Sequence, residues 1–300
     1  MPTNIWCESC HALLGSRDST PAAMRIRISH TTTYRYERSP KNVAQILRLT
    51  PRNHEGQYVV NWMIDVTQDA HLHRHDDAFG NLAHSFTVEG PFDALTVSVE
   101  GLVETQDLHG VVRGAVERFP PSLFLRDSTL TTPDAAIIEF TEAAKARAGA
   151  SGTALDVLHQ LVLDLNREIT FDTDPTNVGT TATEAFALRR GVCQDLTHIY
   201  IGAARHLGIP ARYVSGYFHR SDGVTEQEAG HAWVEAYVED LGWVGFDPTN
   251  GVSTTDSHVR VAVGLDYLSA APVRGTRSGG AGEQLHVAVV VAQAQQQMQT

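Results

Sequence analysis

Residues 191–250 contain one helical pattern followed by three strand patterns, and this order restricts the fold more than any other part of the chain. Apolar side chains recur at helical spacing as far as Leu207, and the glycine and proline that follow end the helix. The second strand pattern alternates strictly between apolar and polar side chains, and a short turn connects it to the third. The segment therefore predicts a helix packed on an antiparallel sheet. The predicted elements are a helix at 191–207 and strands at 211–218, 231–238 and 243–247.

The first part of the chain has a different pattern, in which short strands follow one another with turns between them. Residues 25–36 alternate apolar or β-branched with polar side chains, which is the period of a half-buried strand. Similar runs at this spacing predict an antiparallel β-sandwich of about 90 residues. The remaining predicted strands lie at 45–50, 58–66, 83–88 and 95–104.

Helical patterns fill the middle of the chain. Asp134, after a proline, opens a helix that runs to about residue 148, and a second helix ends near Glu168. Thr181 with Glu184 three residues later has the pattern of a capping box and predicts a third, short helix. The fold class is therefore α+β. The predicted organisation is an extension at 1–23, expected to be disordered, a β-sandwich domain at 24–115, a helical linker at 116–150, a second domain at 151–293 whose sheet is completed by strands at 258–264 and 285–292, and a tail at 294–300.

Composition excludes several classes of function. A hydrophobic content of 42% in 300 residues suffices for a large core. The longest apolar run near the C-terminus, 287–292, is far shorter than the roughly 20 residues that span a bilayer, and no signal peptide is recognisable. A formal net charge of −12 argues against nucleic acid or anionic membranes as partners. We therefore expect a cytoplasmic protein, and the sequence leaves its oligomeric state open.

Two groups of potential metal ligands have simpler interpretations. Cys7 and Cys10 could attach haem or supply half a zinc site, but haem attachment needs export and no second cysteine pair exists. His71, His73 and His75 would project from one face of a strand, but without a fourth ligand at a suitable distance a polar, solvated hairpin end is the favoured interpretation. We predict no metal and no cofactor.

Three residues of the 191–250 segment could act together as a nucleophile, a base and a group that orients the base. Cys193 lies at the predicted helix start, where the helix dipole stabilises a thiolate and free amides can donate to an oxyanion. His231 and Asp247 lie on a predicted hairpin, so the carboxylate could hold one ring nitrogen and leave the other for the thiol. Each residue alone is more often structural, but the combination predicts catalysis.

The motifs that carry these residues resemble the bacterial branch of the transglutaminase-like superfamily. The order Cys, His, Asp agrees, with 38 residues from Cys193 to His231 and 16 from there to Asp247. The resemblance extends over about residues 24–293 and includes a β-rich N-terminal region. The matching motifs are Gly-Val-Cys-Gln-Asp at 191–195, Leu-Gly-Ile-Pro-Ala-Arg-Tyr-Val-Ser-Gly-Tyr at 207–217, His-Ala-Trp-Val-Glu at 231–235 and Trp-Val-Gly-Phe-Asp-Pro-Thr-Asn at 243–250.

The resemblance implies a papain-like catalytic domain in which a helix presents Cys193 to a sheet that carries His231 and Asp247. It also implies acyl chemistry, in which the thiolate attacks a carboxamide or peptide carbonyl and the thioester is resolved by water or an amine. We therefore predict a cysteine peptidase or amidase that acts on a peptide or protein. The alternatives are a protein-glutamine transamidase and a non-catalytic binding or scaffold protein.

This chain departs from the animal transglutaminases in two respects. Those enzymes use a tryptophan upstream of the cysteine as an oxyanion donor, but here no tryptophan lies between Trp62 and Cys193, which leaves the backbone amide of Cys193 as the donor that can be named. No acidic, glycine-rich calcium loop is present either. Both departures favour hydrolysis over cross-linking. Four further residues close to the triad in sequence could either pack or function: Asp195, His198, Tyr217 and Trp233.

Overall fold

The computed structural model describes residues 23–149 and 152–294 and shows an α+β protein built on antiparallel sheets, as predicted. The expectations for the N-terminal extension with Cys7 and Cys10, and for the C-terminal tail, concern residues outside these ranges. Within the two described ranges, no helix is long and apolar enough to cross a membrane.

Seventeen strands and five α-helices follow one another in the described chain. The strands are β1 (Met24–Arg38), β2 (Asn42–Thr50), β3 (Gln57–Val66), β4 (His73–Asp76), β5 (Leu82–Glu89), β6 (Ala94–Thr105), β7 (Val111–Val112), β8 (Thr170–Phe171), β9 (Arg190–Gly191), β10 (Ala211–Phe218), β11 (Glu226–Gln227), β12 (His231–Val238), β13 (Gly242–Asp247), β14 (Val252–Ser253), β15 (His258–Gly264), β16 (Val273–Ser278) and β17 (Ala281–Gln293). The α-helices are α1 (Ala135–Ala148), α2 (Ala154–Glu168), α3 (Ala182–Leu188), α4 (Cys193–His206) and α5 (Tyr267–Ala270). A 3₁₀-helix lies at Pro121–Leu125.

The five strands predicted for the N-terminal part lie within β1, β2, β3, β5 and β6. They form parts of two antiparallel sheets, a five-stranded sheet in the order β11-β17-β1-β6-β3 and a four-stranded sheet in the order β16-β2-β5-β4. Alternate side chains of both sheets fill a common core, which includes Leu47, Phe86, Leu95 and Val97. Each such side chain contributes about 1.5–3 kcal/mol by leaving water.

The starts of the helices follow the predicted capping residues. The Asp134 side chain accepts from the Ile137 backbone N–H at 3.0 Å and starts α1. Thr181 and Glu184 form the predicted capping box at the start of α3. These local signals place the ends of the helices without any help from tertiary contacts.

A third sheet carries the 211–264 strands, in the order β14-β13-β12-β10-β15 with β7 added beside β13. Helix α4 packs on β12 and β10, and twelve of its fourteen residues are buried. This is the predicted arrangement of a helix on an antiparallel sheet.

The placement predicted for the strand at 285–292 was wrong. This segment is part of β17, which pairs with β1 along almost its whole length, from Ile26 opposite Gln293 to Arg38 opposite Ala281. It therefore lies in the sheet of the N-terminal sandwich, while the strand predicted at 258–264 does join the third sheet. A period of two shows which side chains of a strand are buried, but it does not identify the neighbouring strand.

The three histidines considered as metal ligands lie at an exposed edge. His73 and His75 belong to β4, all of whose residues are exposed. The adjacent Asp76 carboxylate accepts hydrogen bonds from Arg52 and Arg118. This carboxylate is therefore already engaged by two guanidinium groups.

Candidate active site

The thiol of Cys193 lies at the first residue of α4, where backbone amides are free of helical partners. Asp195 holds this helix start, since its Oδ2 accepts from the Val192 N–H at 2.8 Å. Gly191 is required here because a Cβ atom at that position would lie 2.7 Å from the same oxygen. Cys193 is half-buried and is a free cysteine. The local sequence thus places a thiol beside the positive end of a buried helix.

His231 and Asp247 meet across the β12–β13 hairpin, as predicted. His231 begins β12 and Asp247 ends β13, and the two strands pair antiparallel. His231 Nε2 donates to Asp247 Oδ2 at 2.7 Å. The carboxylate is fully buried and the imidazole is 10% exposed. One edge of the ring is therefore held by the carboxylate, which leaves Nδ1 for the thiol.

Asp247 is the best-connected side chain of the site. Its Oδ2 accepts from His231 and also from His258 Nε2 at 3.1 Å. Asn250 Nδ2 donates to the same oxygen at 2.6 Å. The backbone N–H groups of Thr249 and Asn250 donate to Oδ1 at 3.0 and 3.2 Å. This set of donors fixes the orientation of the carboxylate and therefore of the imidazole.

Charge pairing shifts the pKa values of both groups. Burial by itself raises the pKa of Asp247, but the charge and hydrogen bond of His231, with the bond from His258, bring it well below its ordinary value. Burial lowers the pKa of His231, but the Asp247 carboxylate, and after it Cys193, raise the pKa to about 10. The carboxylate therefore favours the protonated form of the ring, which donates from Nε2 to Asp247.

His258 is a member of the site that the sequence reasoning missed. Its Nδ1 accepts from the Thr255 N–H at 3.1 Å, so a neutral ring carries its proton on Nε2 and donates it to Asp247. Burial is the largest cause of a lowered pKa for His258, which favours this neutral form. Nothing in the sequence marks this residue, because only the packing of β15 beside β10 brings it to the carboxylate.

His231, Asp247 and His258 also form the group of potential metal ligands found within residues 23–149 and 152–294, with ligand atoms within 4.8 Å of one another. Their facing atoms are hydrogen-bonded to one another, and His258 presents Nε2 as a donor. The arrangement therefore fits a hydrogen-bonded relay better than a metal centre.

A cleft of about 520 Å³ opens in front of Cys193 and His231. One wall comes from the third sheet and the helices, with Tyr213 and Tyr267. The other wall comes from the five-stranded sheet, where Tyr34, Leu285 and Val287 line the cleft. Both the N-terminal sandwich and the segment with Cys193 and His231 therefore line the cleft.

The two tyrosines line the same cleft as Cys193. Burial is the largest cause of the raised pKa of Tyr213, and the negative charge of a Cys193 thiolate is the next. The same two causes, in the same order, raise the pKa of Tyr267. Trp62 lies instead on β3, where its ring packs against Tyr217. Two tyrosines thus line the cleft that holds the thiol, and sequence reasoning missed them because they belong to β10 and α5.

The four residues left open between packing and function are at most 2% exposed: Asp195, His198, Tyr217 and Trp233. His198 Nε2 accepts from the Tyr267 N–H at 3.1 Å and so holds the start of α5. The Tyr217 hydroxyl is hydrogen-bonded to His30 Nδ1 at 2.9 Å and joins β10 to β1. Trp233 packs in a separate buried cluster with Val214 and Val263. The choice between packing and function for these four residues stays a prediction.

Comparisons with known proteins agree with this arrangement. A model of the bacterial transglutaminase-like N-terminal region matches residues 26–104, and a model of the transglutaminase-like superfamily matches residues 142–248. The chain is 31% identical to an uncharacterized protein of Mycobacterium leprae, over 89% of this chain and 98% of the relative. It is 27% identical to an uncharacterized protein of Mycobacterium tuberculosis, over 84% of this chain and 87% of the relative.

A solved structure shares the fold. The crystal structure of a protein from Cytophaga hutchinsonii, described as a candidate cysteine protease, superposes with a TM-score of 0.70 and covers 91% of this chain and 92% of its own. The two sequences are 21% identical, so this likeness concerns the fold alone.

Proposed function

Because this chain belongs to the transglutaminase-like superfamily, we propose that it is a cysteine hydrolase that cleaves peptide or glutamine-type amide bonds. Cys193 is the nucleophile, His231 the base and acid, and Asp247 the group that orients His231. One observation carries the proposal, namely that His231 is hydrogen-bonded to a buried carboxylate and lines the same cleft as a thiol at a helix start.

The proposed reaction starts from the thiolate–imidazolium pair. Sulfur attacks the amide carbonyl, and the negative charge passes to the carbonyl oxygen, which the Cys193 backbone N–H stabilises. His231 then protonates the leaving amine, and the C–N bond breaks to leave a thioester. His231 next takes a proton from water, which attacks the thioester and releases the carboxylic acid.

Tyr213 supplies the second oxyanion donor in this proposal. Its ring is buried in the cleft wall, and the thiolate is one of the causes of its raised pKa. A hydroxyl in the cleft that also holds the sulfur can donate to the oxygen of a bound carbonyl, and would replace the tryptophan donor that the sequence lacks. His258 acts through Asp247, as a positioning residue that keeps this carboxylate ionised and oriented.

Labelling of the three cysteines tests the nucleophile. Iodoacetamide modifies Cys193 faster than Cys7 or Cys10 near neutral pH, because the helix start and His231 favour its thiolate. The Cys193→Ala protein has no turnover on a peptide library. Equal labelling of the three cysteines together with full activity of the variant would remove the basis of the proposal.

A second assay separates hydrolysis from transamidation. The protein is incubated with a glutamine-containing peptide, with and without a primary amine, and ammonia and amine incorporation are both measured. Hydrolysis predicts ammonia or cleaved peptide without incorporation. Incorporation as the main product would instead identify a transamidase, and binding without any turnover would identify a scaffold protein.

The proposal includes a cytoplasmic location and a peptide or protein substrate, with no nucleic acid or membrane partner. A reducing compartment keeps a lone thiol nucleophile free. Fractionation of cells that express the untagged full chain, followed by immunoblotting, tests the location, and recovery in the periplasmic fraction would correct it.

A further inference from the structure

One edge of β17 is open along the cleft. On one side β17 pairs with β1, and on the other side β11 covers only two positions, where Glu226 faces Val290 and Gln227 faces Val289. Within residues 23–149 and 152–294, no strand pairs with this second side of β17 between 281 and 288. The uncovered stretch has the length of an ordinary short strand.

Two hydrogen bonds show which backbone groups of β17 face the open side. The Ala294 N–H donates to Arg25 O, so even-numbered residues face β1, and the Val291 N–H donates to Thr225 O, so odd-numbered residues face β11. The β1–β17 pairing has no register shift, so the alternation continues along the strand. The N–H and C=O groups of Glu283, Leu285 and Val287 therefore point to the open edge.

This edge is continuous with the candidate active site. Leu285 and Val287 line the same cleft as Cys193 and His231. The segment that covers the edge, β11, leads directly through residues 228–230, which also line the cleft, to His231. The β11 segment thus already pairs with two residues on the second side of β17. Leu285 and Val287, on the unpaired stretch of the same strand, border the cleft.

We propose that the substrate is an extended peptide that adds to β17 as a strand, in the row begun by β11, and presents its scissile carbonyl to Cys193. This inference rests on the proposed function. Peptides that add to a sheet edge gain affinity from main-chain hydrogen bonds and specificity from alternate side chains. Leu285, which is 58% exposed, and Val287 share a face with the buried Val289. They favour apolar side chains at alternate peptide positions.

Binding is measured separately from cleavage. The full chain with Cys193→Ala captures peptides from a random decapeptide library, and the best binder is labelled for fluorescence anisotropy. Each amide of this peptide is then methylated in turn. Strand addition predicts that methylation weakens binding about tenfold at every second amide and little at the amides between. Equal losses at neighbouring amides would overturn the proposal.

A protein variant tests the same edge. Leu285→Pro, in the Cys193→Ala chain, removes an N–H that faces the open edge while sparing the bonds to β1, a position where proline is tolerated. We expect about tenfold weaker peptide binding, with an unchanged melting temperature. His286→Ala, on the opposite face of β17, is the matched control. If Leu285→Pro fails to fold, binding of the methylated peptides to the Cys193→Ala chain, in which β17 is unchanged, still tests the proposal.

Three outcomes have distinct meanings. Peptide binding with alternating sensitivity but without cleavage by the wild-type chain would refute the proposed function and support strand addition. Cleavage that is indifferent to methylation and to Leu285→Pro would refute strand addition and leave the proposed function. If sedimentation shows a dimer that Leu285→Pro converts to a monomer, the edge binds a second copy of this chain, and the peptide proposal is overturned.

Discussion

Replacing Asp247 by asparagine removes the charge that holds His231 protonated while keeping the volume of the side chain. In the structure the carboxylate accepts from His231 at 2.7 Å, and the pKa of His231 rises from 6.5 to about 10. At 1.36 kcal/mol per pKa unit, this rise corresponds to about 5 kcal/mol of stabilisation of the imidazolium. Burial lowers the pKa of His231 and Asp247 is the largest cause that raises it, so in the Asp247→Asn protein this pKa should fall well below 10.

The assay is the pH profile of kcat. Turnover requires a protonated His231 to donate to the leaving amine, so we expect a basic limb near 10 in the wild-type protein. In Asp247→Asn the limb should move well below 10, and kcat at neutral pH should fall about 10⁴-fold, the loss seen for the same change in a serine protease triad. A variant whose limb stays near 10, with kcat within tenfold of wild type, would refute the reasoning.

Stability gives a second readout with a definite sign. Because the folded pKa of His231 is raised above 6.5, the pairing contributes fully below pH 6.5 and is lost as the pH rises towards 10. The difference in unfolding free energy between wild type and Asp247→Asn should therefore shrink over that window. Asp164→Asn is the control, since this buried carboxylate also accepts charged hydrogen bonds, from Arg147 and Arg167, but lies outside the cleft. It should lower the melting temperature and leave the pH profile of kcat unchanged.

Three further predictions concern residues that the structure added. His258→Phe removes one donor to Asp247 and should lower kcat about 10- to 100-fold. His258→Gln should restore part of kcat, because its amide can still donate, whereas a wild-type kcat in His258→Phe would exclude a positioning role. Tyr213→Phe should lower kcat about 100-fold with little change in KM, and a change confined to KM would show that the hydroxyl binds substrate and does not stabilise the oxyanion. Burial lowers the pKa of His30 to about 4, so its contribution to the free energy of unfolding is complete above pH 6.5 and is lost as the pH falls towards 4, by about 2 kcal/mol between pH 7 and 5. Urea unfolding of His30→Gln should therefore show a free energy of unfolding that depends less on pH. The same pH dependence in both proteins would contradict this role of His30.

The sequence could predict features that depend on neighbours along the chain. Capping residues such as Asp134 and Thr181 start helices through bonds to amides three residues away, so the helix starts were readable. The alternation in β12 and the short turn after it were sufficient to place His231 beside Asp247, because a hairpin joins residues close in sequence. The roles of these residues and of Cys193 stay predictions until the kinetics are measured.

Contacts between distant parts of the chain could not be predicted from the sequence and became known only from the tertiary structure. Alternating side chains determine which face of β17 is buried, but the choice of β1 as its neighbour depends on competing surfaces more than 200 residues apart. The same holds for His258, which reaches Asp247 only because β15 pairs with β10, and for the cleft, whose walls come from both ends of the chain. The sequence by itself thus determined the local elements and the ordered triad of side chains. The tertiary structure alone decided the second histidine, the cleft and the open strand edge, since a repeating pattern encodes burial and not the identity of the partner.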